Sequence, residues 1–168
     1  DTVFLGGGTP SLLHGEDVAD LIAAVDRLWG VAEGAEITLE ANPDDVGRFA
    51  DFSAGGVNRL SLGVQSLRDR QLKFLGRTHS SAEAVSAFDA ARSRFASVSL
   101  DLIYALPEQG VESWRGELAE ALTLEPDHLS LYELTIEPGA AFARAVRRGA
   151  WAPTDDERAA DLYELTQD

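Results

Sequence analysis

Cysteine and methionine are both missing from this chain of 168 residues. Without cysteine these residues can form no disulfide, offer no thiolate to a metal and supply no cysteine nucleophile. Without methionine they lack the residue with which translation starts, although Asp1 already stands at the threshold of a predicted strand. We therefore expect an excerpt of a longer protein, while an engineered or processed chain would look the same.

Basic residues are also scarce, since 14 Lys and Arg stand against 29 Asp and Glu for a net charge of −15. That charge repels phosphate backbones and anionic lipid, so we expect no nucleic-acid partner. No apolar run approaches the roughly 18 residues that span a bilayer, and no basic-then-apolar signal precedes the first strand. We predict no transmembrane segment and a cytoplasmic setting.

The apolar positions alternate between strand and helix periods along the whole chain. Predicted strands start near Thr2, Glu36, Arg59, Val98 and His128, and helical patterns separate them. Spacings of this size match βα units, which predicts an α/β fold with a parallel sheet. Periodicity alone leaves open whether the sheet closes into a barrel or stays open.

A glycine-rich turn follows the first predicted strand and has the sequence GGGTPS, residues 6–11. Glycine lets the main chain approach a ligand closely, so this turn is a candidate cradle. It fits neither the phosphate loop, because no lysine follows, nor the dinucleotide fingerprint, which fails at Ser11. A structural tight turn is the competing interpretation.

Polar residues also lie at or near the ends of the later strands: Glu40, Gln65, Asp101, Glu133 and Thr135. Parallel α/β folds bind ligands at the carboxyl ends of their strands, so we expect these groups to gather beside the glycine turn.

Asp101 is the strongest single candidate because it is flanked by apolar residues and would lose hydration without a partner. Arg77, just past a glycine turn, could be that partner, could join Asp101 on a ligand, or could be solvated. Glu40 could meet either a ligand ammonium or backbone donors. The amide of Gln65 suits ribose hydroxyls or a carboxylate, and a role in tying its loop together is as well supported.

The three histidines, His14, His79 and His128, show no metal-ligand spacing. We predict solvent-facing or capping roles for them and no metal site.

Six segments in order resemble the radical SAM family of oxygen-independent coproporphyrinogen III oxidase: GGGTPS at 6–11, LEANP at 39–43, NRLSLGVQS at 58–66, LGR at 75–77, DLIYALP at 101–107 and LSLYELTIEPG at 129–139. The resemblance implies S-adenosylmethionine contacts at Gly7, Gly8, Thr9, Glu40, Gln65, Arg77 and Asp101, with Thr135 touching ligand in some members. It identifies no catalytic residue.

The family resemblance also implies a fold and its cofactors. Residues 1–168 would form most of a TIM-like (β/α)6 radical SAM barrel, roughly strands 2 to 6, without the family's C-terminal domain. Members hold a [4Fe-4S] cluster on a Cys-x-x-x-Cys-x-x-Cys loop that is missing here and should precede Asp1. The cluster and S-adenosylmethionine generate a 5′-deoxyadenosyl radical.

Within the family, the segment Tyr132 to Gly139 resembles the HemW-type heme chaperones. This implies a heme-delivering protein that binds heme or a porphyrinogen and hands heme to acceptor proteins. The enzyme alternative is a coproporphyrinogen III dehydrogenase, which decarboxylates propionates to give protoporphyrinogen IX. An unrelated hydrolase or isomerase barrel is a third reading, which would leave six ordered motifs to coincidence.

Overall fold

The computed structural model describes residues 2–167 and contains strands and helices in regular alternation. The strands are β1 (Thr2–Leu5), β2 (Glu36–Ala41), β3 (Arg59–Gln65), β4 (Ser97–Tyr104) and β5 (His128–Glu133). The helices are α1 (Gly15–Trp29), α2 (Phe49–Ala54), α3 (Asp69–Phe74), α4 (Ser81–Arg92), α5 (Val111–Thr123), α6 (Ala141–Arg147) and α7 (Asp156–Gln167). Two 3₁₀ turns, Pro10–Leu12 and Pro43–Arg48, precede α1 and α2. The predicted order of elements is confirmed.

The strands form one five-stranded sheet in the order β1-β2-β3-β4-β5. β1 pairs with β2 in parallel, and β2 pairs with β3 in parallel with Glu40 opposite Ser61. Parallel strands that follow one another in the chain need a crossover connection, and here a helical segment lies between each strand and the next. The predicted parallel α/β sheet is therefore what the chain forms.

Local sequence signals explain where the elements near the glycine turn begin and end. Gly30 ends α1 with φ of 76°, a backbone conformation that glycine adopts without strain. Asn42 and Asp45 form a reciprocal capping box before the turn that opens with Pro43. This turn and α2 together form the short helical segment predicted to follow β2.

The chain divides into two compact units. The first runs up to residue 101 and includes 126–130, and the second holds 102–125 and the residues from 131 onward. In the first unit the apolar face of the strands is buried with the aromatic rings of the helical segments, through Leu39, Leu60, Leu62, Leu100, Phe49, Phe52 and Phe88. Each such side chain contributes about 1.5–3 kcal/mol when fully buried.

The second unit has its own aromatic centre. Trp114 of α5 is fully buried, stacks on Tyr104 with ring centroids 5.5 Å apart, and donates from Nε1 to Thr166 Oγ1 at 2.8 Å. The indole therefore buries its ring while its single donor is satisfied within α7.

Candidate functional site

The glycine turn is joined to β2 by the carboxylate of Glu40. The backbone N–H of Gly7 donates to Glu40 Oε2 at 3.0 Å. A Cβ at Gly6 would lie 3.0 Å from the same carboxylate and 2.6 Å from the Phe4 ring, so the close approach requires glycine. The sequence left two kinds of partner open for Glu40, a ligand ammonium or backbone donors. The structure shows a backbone donor, the N–H of Gly7.

Gly7 and Gly8 present an open backbone. Their φ angles are 81° and 63°, and a Cβ built on either would meet no atom within 4 Å. Thr9, which follows, is exposed. The turn therefore combines a left-handed backbone with free space over it, the arrangement expected of a cradle that a ligand approaches.

The far end of the turn is held by Arg48, a residue that the sequence analysis did not single out. Its Nη1 donates to the carbonyl oxygen of Ser11 at 2.6 Å, and Ser11 is itself buried. Glu40 and Arg48 thus fix the two ends of the turn from β2 and from the 3₁₀ turn after it. Its sequence offers no local signal for this contact, because 37 residues separate the partners.

A row of polar side chains crosses the sheet from β2 to β5, and we call it the polar band: Glu40, Ser61, Ser99, Asp101 and Ser130. Ser61 Oγ donates to Asp101 Oδ2 at 2.8 Å and lies 3.1 Å from Oδ1. Ser99 Oγ lies 3.2 Å from Asp101 Oδ1 and 3.1 Å from Ser130 Oγ. The carboxylate of Asp101 is thus held by hydroxyl groups rather than by a cation.

The environment of Asp101 opposes its negative charge. Burial raises the pKa of the Asp101 carboxyl, the hydroxyls of Ser61, Ser130 and Ser99 lower it in part, and the nearby charge of Glu40 raises it further. Two carboxylates, Glu40 and Asp101, thus lie close enough to oppose each other's charge, and a cationic group beside them would favour their charged forms.

Arg77 does not pair with Asp101, so the suggestion that it could be the partner of that carboxylate is wrong. Its Nη1 donates to Asn42 Oδ1 at 3.1 Å. Burial lowers the pKa of the Arg77 guanidinium, and the carboxylate of Asp44 partly offsets this. Arg77 is neither simply solvated nor a counterion of Asp101: it is half-buried beside the start of the helical segment after β2.

Gln65 is the last residue of β3 and has φ of 71°. Its Nε2 lies 2.7 Å from the position that a Cβ on Gly63 would occupy, so the side chain folds back over Gly63. Asn42 Oδ1 lies 3.6 Å from that same position. The amide of Gln65 therefore lies near Asn42, the residue that accepts from Arg77.

Thr135 belongs to the second compact unit, whereas the other predicted site residues belong to the first. It is exposed, and its Oγ1 donates to the carbonyl oxygen of Glu133 at 3.3 Å. Its assignment to the site stays a prediction.

The histidines fall into different environments. His14 is the N-cap of α1, as predicted, and His128 is exposed. His79 is buried with Nε2 3.1 Å from the carbonyl oxygen of Val64, which is neither a solvent-facing nor a capping role. Among residues 2–167, no group of three or more His, Asp or Glu side chains could hold a metal ion.

Ser61, Ser99 and Ser130 were missed by sequence reasoning, although a signal for them exists. In β3 and β4 the residues alternate between polar and apolar, as in Arg59-Leu60-Ser61-Leu62 and Ser97-Val98-Ser99-Leu100-Asp101. Because alternate residues of a strand lie on one face of the sheet, this pattern places the serines on the face that carries Asp101.

Comparison with known proteins identifies the family. The model of the radical SAM superfamily matches residues 1–120. The chain belongs to the radical SAM superfamily. This family uses S-adenosylmethionine and a [4Fe-4S] cluster, and the chain's 168 residues contain no cysteine that could ligate such a cluster.

Two curated relatives narrow the comparison. The chain is 44% identical over 167 residues to "Radical S-adenosyl methionine domain-containing protein 1, mitochondrial" of Mus musculus, and 44% identical over 168 residues to "Heme chaperone HemW" of Escherichia coli. These alignments cover 98% and 97% of the chain but 38% and 43% of the relatives. The chain thus spans about two fifths of the length of these relatives.

Two solved structures confirm the fold. The coproporphyrinogen III oxidase HemN of Escherichia coli matches 98% of the chain with a TM-score of 0.81 at 28% identity. The archaeal Elp3 of Methanocaldococcus infernus also reaches 0.81, at 21% identity, which bears on the fold alone. The five strands and their helices are part of the TIM-like radical SAM barrel, as predicted. Within residues 2–167, none of the helices combines the length and the apolar character needed to cross a bilayer.

Proposed function

We propose that this chain is part of a protein of heme metabolism that depends on S-adenosylmethionine and a [4Fe-4S] cluster and acts as a heme chaperone. The observation that carries this proposal is the 44% identity to a heme chaperone over 97% of the chain. The aligned region covers 97% of the chain and so is not confined to any one of its motifs. Heme would be the cargo, and acceptor proteins would receive it.

We further propose that S-adenosylmethionine is held by the residues named from the resemblance: Gly7, Gly8, Thr9, Glu40, Gln65, Arg77, Asp101 and Thr135. The residues of the first unit fit this ligand in two respects. Gly7 and Gly8 offer backbone with open space over it. Glu40 and Asp101 place two carboxylates on neighbouring parts of the polar band, and their charges interact.

Each of these groups has a role that its chemistry allows. Backbone carbonyls and the carboxylate of Glu40 suit an ammonium group, and Asp101 suits ribose hydroxyls or the positive sulfonium. Gln65 can both donate and accept, while the guanidinium of Arg77 suits the ligand's carboxylate. When bound, the cluster and S-adenosylmethionine together supply one-electron chemistry; this chain's residues bind and orient the ligand.

A second candidate function is the oxidative decarboxylation of coproporphyrinogen III. The structural match to coproporphyrinogen III oxidase favours it. The test uses the full-length protein, reconstituted anaerobically with iron and sulfide. We expect it to bind heme in an absorbance titration and to form no protoporphyrinogen IX when given reductant, S-adenosylmethionine and coproporphyrinogen III. Porphyrin chromatography that shows multiple turnovers would overturn the chaperone proposal in favour of the enzyme.

We also propose a cytoplasmic setting. Relatives with mitochondrial names and relatives with bacterial sources both match the chain. Fractionation of the source cells, with the protein detected by antibody, tests this proposal directly.

A further inference from the structure

His79 is a buried histidine that the proposed site does not use. It lies just before α4 and is 4% exposed, and its Nε2 is 3.1 Å from the carbonyl oxygen of Val64. A carbonyl oxygen can only accept, so this nitrogen must carry the proton and donate it. His79 therefore holds a backbone group at the end of β3 by a buried hydrogen bond.

The carbonyl that His79 holds belongs to the peptide group that joins Val64 to Gln65. That group is planar, so fixing its oxygen also fixes the direction of the Gln65 N–H and limits rotation about the bond that defines φ of Gln65. Gln65 has φ of 71°, a left-handed conformation that costs a non-glycine residue about 1–2 kcal/mol. The hydrogen bond from His79 thus stabilises a backbone conformation that Gln65 would otherwise leave.

This conformation decides where the side chain of Gln65 lies. With φ positive and no side chain on Gly63, the amide folds back until Nε2 is 2.7 Å from the position of a Gly63 Cβ. Asn42, whose Oδ1 accepts from Arg77 at 3.1 Å, borders the same position. A relaxed backbone at Gln65 would move its amide away from this cluster.

We propose that His79 is a positioning residue for S-adenosylmethionine, acting through the backbone of Gln65 on the amide that meets the ligand's hydroxyl or carboxylate groups. This inference rests on the proposed binding site, since it assumes that Gln65 touches the ligand. In this proposal His79 would act on the ligand only through Gln65.

The experiment measures affinity for S-adenosylmethionine by anaerobic calorimetry on the full-length, cluster-reconstituted protein. His79→Asn and His79→Gln form a matched pair, because the amide nitrogen of Gln reaches about as far as Nε2, whereas that of Asn reaches only as far as Nδ1. We expect His79→Asn to weaken binding about tenfold, the loss that accompanies a hydrogen bond of about 1.4 kcal/mol. His79→Gln should retain most of the affinity.

A double-mutant cycle separates positioning from general destabilisation. Gln65→Ala alone should also weaken binding about tenfold, and adding His79→Asn to it should cause no further loss, because the group through which His79 acts is gone. Phe88→Leu, at a fully buried residue of α4, serves as the control: it should lower the midpoint of thermal unfolding without weakening binding.

Four outcomes overturn the inference. Additive losses in the double variant, equal affinities for the Asn and Gln variants, or a similar loss in Phe88→Leu would each show that His79 does not act through Gln65 while leaving the binding site in place. An unchanged affinity in Gln65→Ala would instead remove Gln65 from the proposed site and this inference with it.

Discussion

Two carboxylates of the first unit, Glu40 beside the glycine turn and Asp101 in the polar band, differ in their burial and in their hydrogen-bond partners. Glu40 is half-buried and accepts from the backbone of the turn, whereas Asp101 is 8% exposed and is surrounded by serine hydroxyls. At Glu40 the carboxylate holds the backbone of the glycine turn. At Asp101 the carboxylate is instead the group that is held, by the hydroxyls of the serines. We therefore expect Glu40 to affect mainly the shape of the glycine turn, and Asp101 to affect the stability of the fold as well.

The largest expected effect is on stability at Asp101. Asp101→Ala leaves Ser61 and Ser99 without the buried oxygen that they contact, and we expect the free energy of unfolding to fall by about 2 kcal/mol. Glu40→Ala exposes the Gly7 N–H to water, so its loss should stay below about 1 kcal/mol. Urea denaturation of both variants measures the difference, and equal losses would contradict the contrast.

The next effect concerns ligand affinity at Glu40 and separates its charge from its hold on the turn. Glu40→Ala removes both and should weaken binding of S-adenosylmethionine to the reconstituted full-length protein by about 1–2 kcal/mol. Glu40→Gln keeps an oxygen that can accept from Gly7 and should lose less. If calorimetry finds the Gln variant as weak as the Ala variant, holding the turn contributes nothing and only the charge matters.

A smaller effect is expected at the far end of the turn. Arg48→Ala removes the donor to Ser11 and should weaken binding of S-adenosylmethionine by about 0.5–1.5 kcal/mol, because the backbone of the turn becomes less ordered. Arg27, an arginine in the last turn of α1, gives a matched control when changed to Ala. Calorimetric affinities that are equal for the two variants would remove Arg48 from the support of the cradle.

The sequence was sufficient for the elements and for the glycine turn, because both depend on local patterns. The start of the segment after β2 follows from Asn42 and Pro43, and the open backbone at Gly7 and Gly8 follows from residue type alone. The partner of Asp101 was not predictable in this way, since Ser61 lies 40 residues away and its identity depends on how the strands align. Arg77 was one of the partners that the sequence left open for Asp101, and it instead donates to Asn42.

The periodicity of β4 contains a further signal for the polar band. Asp101 lies in an apolar strand, and Ser99, two residues earlier, lies on the same face of that strand. The step from one face to a particular hydrogen bond still needs the register, such as Glu40 opposite Ser61. Neither a local sequence pattern nor the register of the strands tests the assignment of Thr135, which lies in the second unit.

The smallest effect is a change in how stability depends on pH. Burial raises the pKa of Asp101 above its ordinary value of 3.8 in the folded chain, so the folded state binds this proton more tightly than the unfolded state does. The contribution of Asp101 to stability is therefore largest at low pH and falls as the pH rises from about 3.8 through the raised pKa.

The variant Asp101→Asn removes this titration. As the pH rises through that window, the free energy of unfolding of Asp101→Asn should increase relative to that of the unchanged protein. Denaturation at a series of pH values measures this shift, with Asp127→Asn as a control for a carboxylate outside the polar band. A difference that is constant with pH, or that shifts in the opposite direction, would show that the hydroxyls of the serines outweigh the burial of Asp101.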